Sequence, residues 1–76
     1  MTTTNNRPRR IASHQTVSED GSTLTLHVVE IRCARVTALY PLTQELPFTE
    51  WFSGTIVLRR DEGGVLRAYY KEKLLT

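Results

Sequence analysis

From Ile11 onward the chain runs in short stretches where apolar and polar side chains alternate, broken by segments rich in Gly, Pro, Asp and Ser. A period of two predicts β-strands. Between Ile11 and Leu39 the prevailing residues are Thr, Val, Ile and Leu, which suit a pleated surface. The alternation breaks at Ser18-Glu19-Asp20-Gly21-Ser22, where Gly supplies the positive φ that a hairpin turn needs. One strand is expected near 11–17 and a long one over 23–38. Two registers are open. A two-residue Asp20-Gly21 turn sets His14 directly opposite His27, whereas a three-residue Glu19-Asp20-Gly21 turn sets His14 against Leu26 and sends the imidazoles to opposite faces. In the long strand Leu24, Leu26 and Val28 keep even parity, and Val29, Ile31 and Cys33 then keep odd parity. Such a slip predicts a bulge or bend near Val28-Val29. A bent strand can serve both halves of a partly open SH3-like or OB-like barrel. Cys33, in phase with Val29 and Ile31, is expected to be a small core side chain.

Residues 41–53 read differently. Pro41 and Pro47 forbid a regular central strand and limit any helix to about one turn, so a surface connection is expected. It is also the most apolar and aromatic stretch, holding Leu46, Phe48, Trp51 and Phe52. These four are candidates for docking a protein partner, although a small domain is expected to use its only Trp in the core.

The last element is a hairpin. Thr55-Ile-Val-Leu-Arg-Arg60 and Val65-Leu-Arg-Ala-Tyr-Tyr-Lys71 flank Asp61-Glu62-Gly63-Gly64. A three-residue loop with Gly63 in the left-handed region pairs Leu58 with Leu66 and Ile56 with Ala68 on an inner face. The outer face then carries Arg59, Arg67, Tyr69, Lys71 and Lys73. Together these patterns predict an all-β fold, with at most one short helical turn: four to five antiparallel strands arranged as two hairpins.

At 76 residues the chain is one domain with a thin core. With 39% hydrophobic and 24% charged residues it has the composition of a folded globule. Residues 1–10, polar or basic after the first Met, read as a disordered basic tail bearing Arg7, Arg9 and Arg10; 11–76 is the folded unit. No run approaches a membrane span and no apolar leader opens the chain, so a cytoplasmic protein without membrane contact is expected. One cysteine allows no internal disulfide. Small cores often recruit a partner chain, and a long strand that outruns its neighbour leaves an edge, so a homodimer is an expectation.

No Gly-x-Ser-x-Gly elbow, phosphate loop or zinc-spaced Cys/His set is present, so neither catalysis nor a metal or cofactor is expected. Net charge is only +2. Even so, Arg59, Arg67, Tyr69, Lys71 and Lys73 with Arg7, Arg9 and Arg10 mix cations and an aromatic as polyanion-binding sheets do. The hairpin Gly54-Thr55-Ile56-Val57-Leu58-Arg59, Gly64, Ala68-Tyr69 and Lys71 resembles one in some small phage-encoded anti-CRISPR proteins. That resemblance spans about a quarter of the chain and implies an inhibitor of a nucleoprotein complex. The leading expectation is a non-catalytic binding or regulatory protein acting on nucleic acid or a nucleoprotein. The alternative is an adaptor or inhibitor docking on protein through 42–52 or an edge strand, and an enzyme with an unsignalled site comes third.

Overall fold

Four tight turns and one crossover organise the chain, which is described over residues 8–76 by a computed structural model. Arg7 lies outside the described residues. The strands are β1 (Arg9–Val17), β2 (Thr23–Arg32), β3 (Arg35–Pro41), β4 (Thr49–Arg60), β5 (Leu66–Tyr70) and β6 (Lys73–Leu74). They form one sheet in the order β3-β2-β1-β4-β5-β6. Among the described residues there is no helix, hence none long and apolar enough to cross a membrane.

The all-β expectation holds, with two corrections. The described residues form six strands, and the central pair β1–β4 is parallel while the other neighbours are antiparallel. The parallel pair follows from the connection 42–48, which carries the chain past β2 and β1 and lays β4 beside β1, whereas the added strands come from a turn inside 23–38 and from β6. Thr49 to Ser53, read as part of a surface connection, are the first residues of β4. β1 likewise begins at Arg9, so Arg9 and Arg10 are strand residues rather than part of a tail.

The first hairpin takes the three-residue turn. Ser18 N–H donates to Ser22 O at 2.8 Å around Glu19-Asp20-Gly21, with Gly21 at φ 89. Ser13 therefore pairs with His27 and Gln15 with Thr25, which leaves His14 facing Leu26. The imidazoles do not meet. In the last hairpin Asp61 N–H donates to Val65 O at 2.9 Å, and Gly64 rather than Gly63 has the positive φ, 80. Leu58 consequently pairs with Ala68 and Val57 with Tyr69, two residues from the expected register. A slip of two preserves side-chain parity, so the inner and outer sets of β4 and β5 stay as read.

The expected strand 23–38 is two strands. Arg32 pairs with Arg35 around Cys33-Ala34, whose φ values of 54 and 62 define a type I′ turn. Cys33 sits exposed at its apex, which overturns the core expectation. It also means that β2 is paired on both sides, so the edge invoked for self-association does not exist there.

Ile11, Val29, Ile31, Ile56, Leu58, Ala68 and Leu75 form the core on the concave face, with Val36, Phe52, Leu66 and Tyr70 packed against it. The sheet curls into a half-barrel until β3 approaches β5. The curl has a crease. Leu26 on β2 has φ 52, β4 slips register between Phe52 and Thr55 with Gly54 at φ 119, and both irregularities flank His14 on β1. The parity slip is thus real but lies at Leu26, two residues before the expected site. Val28 is buried as well because the convex face is covered in part: Val28 and its partner Ala12 are fully buried outside the main cluster. On that side Arg10 Nη1 donates to Pro47 O at 3.2 Å, tying down the crossover. Below the concave face Arg9 closes the bottom, bonded to Glu50 Oε2 at 2.6 Å and Thr76 O at 2.9 Å.

Candidate binding surfaces

Alternation along β4 sends Phe52 and Trp51 to opposite faces. Phe52 turns inward, its ring 4.7 Å edge-on from Tyr70 and 5.8 Å from the Arg9 guanidinium. Trp51 turns outward and is 50% exposed, which corrects the core expectation. Its indole meets the His14 imidazole edge to face at 4.9 Å. Phe48, in the turn just before β4, is 71% exposed, and Leu46 is half-buried in the crossover. Leu26, opposite His14, adds a further exposed apolar side chain. Of the four docking candidates, then, Trp51 and Phe48 are exposed, Leu46 is partly so, and Phe52 packs against the core.

Register places Trp51 in a row with Ala12, Val28 and Tyr40 across four strands. The far end of this row is anchored by Glu30, which accepts from the Tyr40 hydroxyl and pairs with Arg10 at 3.3 Å. Burial, then the bond to Glu30, raises the Tyr40 phenol above its ordinary value. The convex face therefore offers an aromatic ledge on an ordered polar footing.

The basic set is divided. Arg59 and Tyr69 remain together on the outer face, the guanidinium 4.3 Å from the ring centroid. Arg67 shares that face as the partner of Arg59, but its guanidinium is bound to Asp61 at 2.9 Å and Ala34 O at 2.8 Å. Lys71 sits in the β5–β6 turn at φ 51, and its Nζ lies 5.5 Å from the inward-facing Tyr70 ring. Lys73 pairs opposite that same Tyr70, so it departs from the Arg59 face too. Arg9 and Arg10 point to opposite sides of β1, held by Glu50 and Glu30. Thr49, beside Arg10, is ten residues along β4 from Arg59, about 33 Å at strand rise. Among the described residues, then, Arg9 and Arg10 stand apart from the Arg59 face, and Arg7, the remaining cation of the expected arm, lies outside them.

Sequence reasoning missed the open end of the half-barrel. Arg35 and Val36 on β3, with Arg60, Gly64, Val65 and Leu66 from the last hairpin, line an open cleft of about 350 Å³. No local signal marks it, because its walls come from segments about thirty residues apart that meet only when the sheet curls. Among the described residues no group of three His, Cys, Asp or Glu gathers as a metal site. No protein family, curated protein or solved structure matches this chain.

Proposed function

We propose that this chain is a non-catalytic binding module that engages a protein partner through the convex ledge of Trp51, His14 and Leu26. The observation that carries this reading is a tryptophan left half exposed, at 50%, in a domain with little core to spare. Large amphipathic rings concentrate binding energy where they can be fully desolvated. The protein reading takes precedence over the polyanion reading because Arg9, Arg10, Arg60 and Arg67 already hold carboxylates.

The test is a capture experiment from the native host with three baits: the parent chain, Trp51→Ala and Arg59→Ala. The expected partner survives nuclease treatment, is retained by Arg59→Ala and is lost with Trp51→Ala. Release by nuclease, or undiminished capture by Trp51→Ala, contradicts the reading. A polyanion reading keeps one specific support, the Arg59–Tyr69 stack, since a guanidinium on an aromatic ring is a platform for a base and its phosphate. If that platform is used, oligonucleotide binding falls steeply with salt, and Arg59→Ala lowers the salt slope by about 1.

A further inference from the structure

We infer that the seam between β3 and β5 binds an extended acidic segment of a partner protein, with one carboxylate seated on Arg35. This rests on reading the chain as a protein-binding module, but it uses a surface on the other side of the sheet from Trp51. Among the described residues β3 has a strand neighbour on one side only, β2. The curl of the sheet brings β5 towards the open side, yet no strand ladder joins the two. The 350 Å³ cleft lies in this gap, and a second of about 210 Å³, lined by Arg32, Cys33, Arg35 and Thr37, lies on the other flank of the same arginine. Arg35 borders both.

Its charge is available. Arg9, Arg10, Arg60 and Arg67 each meet a carboxylate within 3.3 Å, whereas the exposed Arg35 guanidinium has no hydrogen bond or ion pair among the described residues. Arg60, on the opposite wall, is held in place by Glu19 through Nε at 2.6 Å and Nη2 at 3.0 Å, and by Gly64 O through Nη1 at 2.7 Å. Those bonds use three of its five N–H donors, leaving two in a fixed orientation. The walls are fixed as well. Arg67 bridges Asp61 to Ala34 O, linking the last hairpin to the β2–β3 turn, and Asp61 accepts from Gly63 N–H and Val65 N–H at 2.9 Å each. A preformed cleft avoids part of the ordering cost of binding.

The chemistry selects the occupant. Two guanidinium groups over a floor of Val36, Val65 and Leu66 suit a carboxylate on an apolar-flanked strand. A polyphosphate has no apolar flank to cover the floor of Val36, Val65 and Leu66. A second copy of this chain offers its paired acidic residues, Glu19-Asp20 and Asp61-Glu62, in tight loops rather than strands.

The experiment is an amide NMR titration of the full chain with a capped seven-residue peptide alternating valine and glutamate. Its arms are the glutamine version of the peptide, inorganic phosphate, and the variants Arg35→Gln and Trp51→Ala. The expected result is saturable shifts at 34–37 and 64–67 with Kd of order 1 mM. The glutamine peptide and Arg35→Gln should each weaken binding about tenfold, the usual effect of losing one charge-assisted bond. Trp51→Ala should leave it unchanged. Arg35 is exposed, so unchanged spectra elsewhere establish that its variant is folded. Absence of saturable shifts at several millimolar peptide, equal binding of the glutamine peptide, equal shifts from phosphate, or indifference to Arg35→Gln each overturns the proposal. None of these outcomes touches the Trp51 capture result, so the two readings fail separately.

Discussion

Asp20 and Asp61 stand in different loops and do the same work, offering a carboxylate oxygen to the amides of their own turn. Asp20 is bonded by the Ser18 hydroxyl and by Ser22 N–H, which pull its carboxyl from an ordinary 3.8 down to about 2. Asp61 is lowered by Val65 N–H first and then by Arg67. A carboxyl depressed on folding stabilises above its ordinary value, and that contribution is lost as pH falls towards the folded value. Acidification from about pH 4 to about pH 2 is therefore expected to loosen the Asp20 loop, and falling pH loosens the Asp61 loop in the same sense, seen as reduced protection of the Ser22 and Val65 amides relative to their intrinsic exchange, while Asp20→Asn removes the pH dependence of that protection at Ser22. Trp51 supplies the second prediction at this scale. A buried Trp truncated to Ala costs about 3–5 kcal/mol. A half-exposed ring resting edge-on against His14 should cost only about 1–2 kcal/mol. Trp51→Ala is expected to remain folded by circular dichroism, and an unfolded variant would return the ring to the core.

Among the elements, what the sequence hides is as physical as what it displays. The two hairpins with Asp and Gly in their loops are legible because those residues are what the backbone demands. The β2–β3 turn is not, since Cys33 and Ala34 occupy left-handed positions that ordinarily attract Asn and Gly. With no glycine to mark the reversal, 23–38 reads as one strand and Cys33 falls into the core pattern. The outer position of Trp51 was hidden for a related reason: Pro47 suggested a loop where a strand begins one residue after Phe48, itself at φ 57. Arg59 and Tyr69 were legible as a pair because parity survives a two-residue slip, whereas Lys71 and Lys73 were misplaced by an unmarked turn. These strained positions are testable. Ala34→Gly removes a Cβ from a left-handed site and is expected to stabilise by about 1 kcal/mol in urea unfolding. Gly54→Ala acts the other way. Its backbone has φ 119, and the added Cβ would lie 3.4 Å from Tyr70 Cε1, so a loss of about 1–3 kcal/mol is expected.

At the scale of the whole molecule, both ends of the sheet are blunt. β3 is interrupted by an extra residue near Thr37 and finishes at Pro41, and β6 is only two residues long. Short, irregular edges discourage pairing between copies. Light scattering is expected to give a monomer at high micromolar concentration, and a dimer would point to β3 as its joint. The parallel pair at the centre has a further consequence, for the order of events in time. The outer hairpins join residues near in sequence and can close within microseconds. β1 and β4 instead bring Arg10 to Thr49 and Val17 to Val57, each across about forty residues, and the concave core has no floor until they meet. Closing a loop of that length precedes any contact that rewards it, so folding should take milliseconds to seconds. The crossover, which carries no hydrophobic core of its own, would then set the pace at which this small domain becomes one.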